Sequence, residues 1–205
     1  MQQKAIEYLG IAGGDENLRV LDDIYRTARS DLKQSVLDAY LVADQNGRML
    51  AVAKDGKDPL QGHAIELLGA MEAKEELRQL YQADGSPKSR LKVLEAMGVA
   101  GDVEPLIDAA RREQDAAVRN KAIEGLGISG GAKAAEALRS LYASSSDSAI
   151  RRAVVEALFV QDNAHALIEI FGTEKDREMR KHIVQQLSLM DSDEAAQFLE
   201  KIYSN

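Results

Sequence analysis

The sequence predicts an all-α fold: a right-handed α-solenoid of about seven short helix–turn–helix repeats running through all 205 residues. Three observations predict it. One apolar motif returns at near-constant steps, each copy runs into a second amphipathic stretch, and no segment sustains the period-two alternation of a strand. Repeats of this kind bury their apolar sides against neighbours in the array, so no division into separate cores is expected.

The clearest copy of the motif is Val118-Arg119-Asn120-Lys121-Ala122-Ile123-Glu124-Gly125-Leu126-Gly127. Taking its Ile as position 0, the equivalent residues are Ile6, Leu37, Ile65, Leu94, Ile123, Val155 and Val184, at steps of 31, 28, 29, 29, 32 and 29 residues. Position −1 is Ala5, Val36, Ala64, Val93, Ala122, Val154 and Ile183; position +3 is Leu9, Tyr40, Leu68, Met97, Leu126, Leu158 and Leu187. Offsets of −1, 0 and +3 share one side of a helix and form an apolar stripe. Position +4 is glycine in four copies, Gly10, Gly69, Gly98 and Gly127. Glycine there either ends the helix or lets a neighbouring backbone come close.

The second runs include Leu18–Tyr25, Leu77–Tyr81, Val103–Ala110, Ala135–Tyr142, Ala166–Phe171 and Ala196–Tyr203. Turn formers separate the two runs of a copy, as at Gly13-Gly14, Gly101-Asp102, Gly130-Gly131 and Asp162-Asn163. Asp115 and Asp147 stand where they can cap the next helix. Pro59, Pro87 and Pro105 fall near helix starts, where proline is tolerated. A longer period overlies the first: Lys4-Ala5-Ile6-Glu7, His63-Ala64-Ile65-Glu66 and Lys121-Ala122-Ile123-Glu124 recur in every second repeat, and Tyr25, Tyr81, Tyr142 and Tyr203 recur with them. A weaker fourth member, Lys181-His182-Ile183-Val184, is one residue out of register. Packing is the favoured reading of the tyrosines, because an aromatic body buries well with a wet hydroxyl.

The motif resembles the bacterial HEAT-like repeat (the PBS-lyase type), whose second helix reads roughly Val-Arg-x-x-Ala-x-x-x-Leu-Gly. Val118-Arg119, Ala122 and Leu126-Gly127 match in full; Arg90, Arg151 and Arg180 share the Arg position, with Lys33 in an early copy. Gln2 and Gln61 stand there in the first and third copies, so the match weakens toward the N-terminal side. The resemblance implies that the motif helices line a concave face and that their Arg residues bond an Asp near the inter-repeat loop. Asp115, Asp147 and Asp176, four residues before Arg119, Arg151 and Arg180, suit that part and suit helix capping equally. It implies a single HEAT-like domain over residues 1–205. The chain opens on a motif helix and closes on the first helix of another unit, so a longer native protein is expected.

The net charge of −8 and pI near 5 argue against binding a phosphate backbone, which takes clustered Lys and Arg. Arg111-Arg112 and Arg151-Arg152 are isolated pairs. No apolar run reaches the roughly 20 residues of a membrane span. Without Cys there is neither a disulfide framework nor a thiolate zinc site, and no compartment or oligomeric state is assigned. Gly125-Leu126-Gly127-Ile128-Ser129-Gly130 spells G-x-G-x-x-G, but a helix runs into it where a dinucleotide site needs a strand. His63, His165 and His182 lack metal-ligand spacing, and His63 and His182 read as solvent-face residues. Neither cofactor, metal nor catalytic residue is expected.

The most informative polar feature is position +1, which reads Glu7, Asp38, Glu66, Glu95, Glu124, Glu156 and then Gln185. At 100° per residue it lies away from the apolar stripe. The expected function is a non-enzymatic protein-binding or scaffold module, with Glu66, Glu95, Glu124 and Glu156 meeting a protein partner that carries a basic segment. Lys92 and Lys121 belong to the same face: with Lys4 they stand three residues before an acid, at pairing distance from Glu95, Glu124 and Glu7 on their own helices. The competing reading is a solvated helix face. A second function class, an enzyme or enzyme-accessory protein, follows only from the resemblance, since phycobilin lyases carry similar repeats. A DNA-repair glycosylase family does too, but it uses a basic, aromatic-lined groove.

Overall fold

Helices alternate along the chain in seven pairs. The computed structural model describes residues 1–83 and 86–204, and among these there are fourteen α-helices and no strand. The motif helices are α1 (Gln2–Ala12), α3 (Ser30–Val42), α5 (Gln61–Ala70), α7 (Pro87–Val99), α9 (Ala116–Ser129), α11 (Ser148–Val160) and α13 (Arg177–Ser188). Their partners are α2 (Asp15–Thr27), α4 (Asn46–Lys54), α6 (Lys74–Gln82), α8 (Val103–Arg112), α10 (Gly131–Ser144), α12 (Ala164–Thr173) and α14 (Asp193–Tyr203). The fold is an all-α solenoid of helix–turn–helix units. α4 is the helix that periodicity leaves unmarked: it has nine residues, and its Asn46-Gly47 start reads as a turn. It is held by Met49, Val52 and Ala53, all buried.

The chain forms two compact units, Met1–Ala96 and Met97–Asn205. In the first, α1 packs on α3 and α4 on α5; in the second, α9 packs on α8 and α11, and α11 on α13. The apolar stripe is the core of both. Val36, Leu37 and Tyr40 in α3, Ala64, Ile65 and Leu68 in α5, and Ala122, Ile123 and Leu126 in α9 are buried, as are Val154, Val155 and Leu158 in α11. In α13 the stripe is turned by one residue: His182 and Ile183 are buried and Val184 only half so. That is the slip visible in its sequence.

All four +4 glycines serve close approach. Each lies inside its helix, against the +2 residue of the next motif helix: Gly10 on Ala39, Gly69 on Ala96, Gly98 on Gly125 and Gly127 on Ala157. The helices end later. In six copies position +7, the residue that makes the turn, has a left-handed backbone: Gly13, Asp44, Glu72, Gly101, Gly130 and Asp162, with φ between 52° and 64°. Gly and Asp tolerate that region; Glu72 is the costly member. The carboxylates of Asp115, Asp147 and Asp176 accept backbone N–H bonds as N-caps of α9, α11 and α13.

Candidate functional site

The motif Arg residues do not reach those Asp residues. Each turns to the end of the preceding helix. Arg90 lies over the Tyr81 ring at 5.0 Å, Arg151 over Tyr142 at 4.4 Å and Arg180 over Phe171 at 3.7 Å, with Lys33 5.1 Å from Tyr25. Arg119, which has Ala110 in place of an aromatic, donates to the Glu113 carbonyl at 3.2 Å. Arg180 donates to the carbonyls of Phe171 and Glu174. Of the two roles open to Asp115, Asp147 and Asp176, capping is the one they fill. The tyrosines pack as expected, except Tyr203, which is exposed. Tyr142 is buried, and burial pushes its hydroxyl pKa up.

A more closed cluster completes this layer in the second unit. The Glu174 side chain, 3% exposed, accepts from Arg151, from the Tyr142 hydroxyl and from the Asp176 backbone N–H at 2.6 Å. A carboxylate this buried is stable only with such a full set of partners. The cluster joins α10, α11 and the α12–α13 loop, and its work is structural.

The acidic row is exposed throughout: Glu7, Asp38, Glu66, Glu95, Glu124 and Glu156 all face solvent. Their Lys and His partners stand at position −2, and most of the pairs cross between helices. His63 Nε2 lies 3.9 Å from Asp38 and Lys92 Nζ 2.6 Å from Glu66 in the first unit; His182 Nε2 lies 3.7 Å from Glu156 in the second. So position −2 of one motif helix meets position +1 of the helix before it. Lys92 was expected to pair with Glu95 on its own helix; the structure gives it Glu66, because adjacent motif helices stack with this offset. Lys121 pairs with Glu124 as its spacing predicts, at 2.8 Å. His63 also comes within 3.6 Å of Glu66, its own helix's acid. The Lys92 ammonium holds the Glu66 carboxyl below its usual pKa.

Residues 74–158, from the start of α6 into α11, match the family model for HEAT repeats. This segment carries HEAT repeats, and the helix–turn–helix units on either side of it follow the same pattern. HEAT repeats generally mediate protein–protein interaction or scaffolding, and their solenoids are typically non-catalytic. No curated protein matches the chain. Among the described residues no helix is long and apolar enough to cross a membrane, and no group of three or more His, Asp or Glu could hold a metal ion.

Two features of the motif-helix surface escape the sequence pattern. Position +5, one turn beyond the acids, is an exposed apolar row: Ile11, Val42, Val99, Ile128, Val160 and Leu189 are six of the ten exposed large apolar residues among the described residues. Positions +1 and +5 are i, i+4 neighbours, so every motif helix but α13, which has Gln185 at +1, presents an acid beside an apolar side chain. Periodicity could have shown this row, since every copy has an apolar residue there, but adjoining the stripe it reads as core. The second feature is a pair of equivalent cavities. One of about 470 Å³ lies between α9 and α11, lined by Asn120, Glu124, Ala153, Glu156, Ala157 and Val160 among others. One of about 400 Å³ lies between α1 and α3, lined by Gln3, Glu7, Ser35, Asp38, Ala39 and Val42. Position for position, these are the same six.

His182 is not the solvent-face residue its spacing predicts. Its side chain is 9% exposed, packed against α11, with Arg152 Nη1 3.3 Å from Nδ1 and Nε2 directed at Glu156. A guanidinium can only donate, so Nδ1 accepts and the proton sits on Nε2. Burial, with Arg152 adding to it, lowers the His182 pKa below 6.5, and Glu156 opposes the shift. The unfolded chain therefore binds this proton at a higher pH than the folded one. The stability His182 contributes is complete above its unfolded pKa and is lost as pH falls toward the folded value. We expect the stability advantage of the wild type over His182→Gln to shrink between about pH 8 and about pH 5, read from paired urea titrations. A constant difference would show that His182 does not titrate in this range.

Proposed function

We propose that this protein is a non-enzymatic binding or scaffold module whose motif-helix surface takes a protein partner through a basic segment. The observation that carries the proposal is the pairing of two exposed rows on the motif helices, acids at +1 and large apolar residues at +5. Monomeric proteins rarely expose aligned apolar side chains without a use for them. In the first unit the surface offers Glu66 and Glu95 with Lys92; in the second, Glu124 and Glu156 with Lys121. On the family's geometry this surface is the concave one. The lysines make the pattern mixed, so complementary charge sets partner choice and encounter rate more than affinity.

The test has two stages. A photo-cross-linking amino acid at Val99 or Val160 should capture the partner in cells, and the same label at Arg26 on α2 should not. With the captured protein purified, Glu95→Lys with Glu124→Lys should slow association by about tenfold and flatten its salt dependence, with helical content unchanged. An unchanged association rate and salt dependence would leave the acidic row a solvated face.

A further inference from the structure

The cross-helix pairing follows a rule, and the rule has a gap. In each unit a Lys or His at −2 meets the acid at +1 of the preceding motif helix: His63 to Asp38 and Lys92 to Glu66 in the first, His182 to Glu156 in the second. At the step from α9 to α11 position −2 is Ala153, and at the step from α1 to α3 it is Ser35. Both are too short to reach an acid, and both steps hold a cavity lined by the same repeat positions.

Glu66 shows what fills such a place. It has two neighbours at −2: the His63 ring on its own helix at 3.6 Å, and the Lys92 ammonium from the next helix at 2.6 Å. Glu124 has the first kind, Lys121 at 2.8 Å, and faces Ala153 where the second would come from. Arg152 borders the cavity without filling it, because its guanidinium is turned to His182 Nδ1 on α13. Glu156 closes the other side, and Ala153, Ala157 and Val160 give the cavity an apolar floor. A carboxylate rim over an apolar floor suits an ammonium on a long aliphatic stem.

We propose that the α9–α11 cavity is a receptor for one lysine side chain of a partner segment. The ammonium sits where a −2 lysine would, between Glu124 and Glu156. The stem lies on Ala153 and Ala157, and an apolar neighbour in the segment rests on the exposed Val160. This rests on the reading of the motif-helix surface as the binding face and names the subsite in it.

The test uses the ¹⁵N-labelled full chain and a capped pentapeptide, Gly-Leu-Lys-Leu-Gly, with its acetyl-lysine counterpart as control. The lysine peptide should shift amides of α9 and α11 around Ala153, and acetylation should weaken that binding by about tenfold or more. Ala153→Lys, which restores the chain's own cation, should abolish the shifts while keeping or raising thermal stability. Glu124→Gln with Glu156→Gln should weaken binding by a route that does not depend on the lysine variant folding. No shifts at α9 and α11, equal binding of the acetylated peptide, or undiminished binding by Ala153→Lys would each overturn the proposal. Shifts on other motif helices alone would overturn this subsite and leave the general reading standing. Failure of the cross-linking at Val99 and Val160 would strike that reading instead.

Discussion

Replacing Glu174 with alanine should lower the stability of the protein by about 3 kcal/mol, the low end of the cost of breaking a buried ion pair. The low end applies because Arg151 is 23% exposed and keeps some water. The substitution removes the acceptor shared by Arg151, the Tyr142 hydroxyl and the Asp176 N–H, and leaves three donors with no carboxylate. Urea unfolding checks the magnitude. The companion experiment separates charge from packing: Glu174→Leu with Arg151→Met should recover most of the loss, since apolar replacement of a whole buried pair is often neutral or better. A loss under about 1 kcal/mol for Glu174→Ala would mean that the cluster is held by shape alone.

Gly98→Val should be comparably damaging, at about 3 kcal/mol, through backbone overlap. A Cβ at Gly98 would stand 2.9 Å from both Cα and O of Gly125. Backbone atoms cannot swing aside as a side chain can, so α7 and α9 would have to part where they meet in the second unit. Gly47→Ala is the control. A Cβ there meets nothing within 4 Å, and the residue is helical in α4, so alanine should stabilise by about 0.5–1 kcal/mol. Thermal unfolding of the two variants should move in opposite directions. If both shift alike, the close approach of α7 and α9 does not limit stability.

The Gly98 and Gly47 pair also marks how far a single sequence can be read. The two read differently in the chain: Gly98 stands in the repeat register, whereas Gly47, after Asn46, reads as part of a turn. The repeat register says that position +4 recurs as glycine. It does not say whether that glycine ends the helix or receives a neighbour, because both demands remove the same Cβ. The partner residue at +2 belongs to the next copy, and only the stacking offset brings +4 onto +2.

The same division runs through the candidate site. One helix's 100° step per residue was enough to place Ile65, Ile123 and Val155 in the core and Glu66, Glu95, Glu124 and Glu156 in solvent. These are properties of one helix with its own geometry, so the sequence by itself determined them: the helix–turn–helix unit, its period, its buried side and the acids on its exposed side. Whatever depends on the meeting of two helices was decided by tertiary structure. Lys92 takes Glu66 across a repeat, Arg151 takes Glu174 and leaves Asp147 to the cap, His182 is sealed against α11, and Ala153 leaves a cavity where another copy would put a cation. Residues 26 to 30 positions apart come within hydrogen-bond reach only after helices settle at a particular offset. That offset is set by the packing of whole apolar surfaces, a sum over many side chains that no local pattern contains.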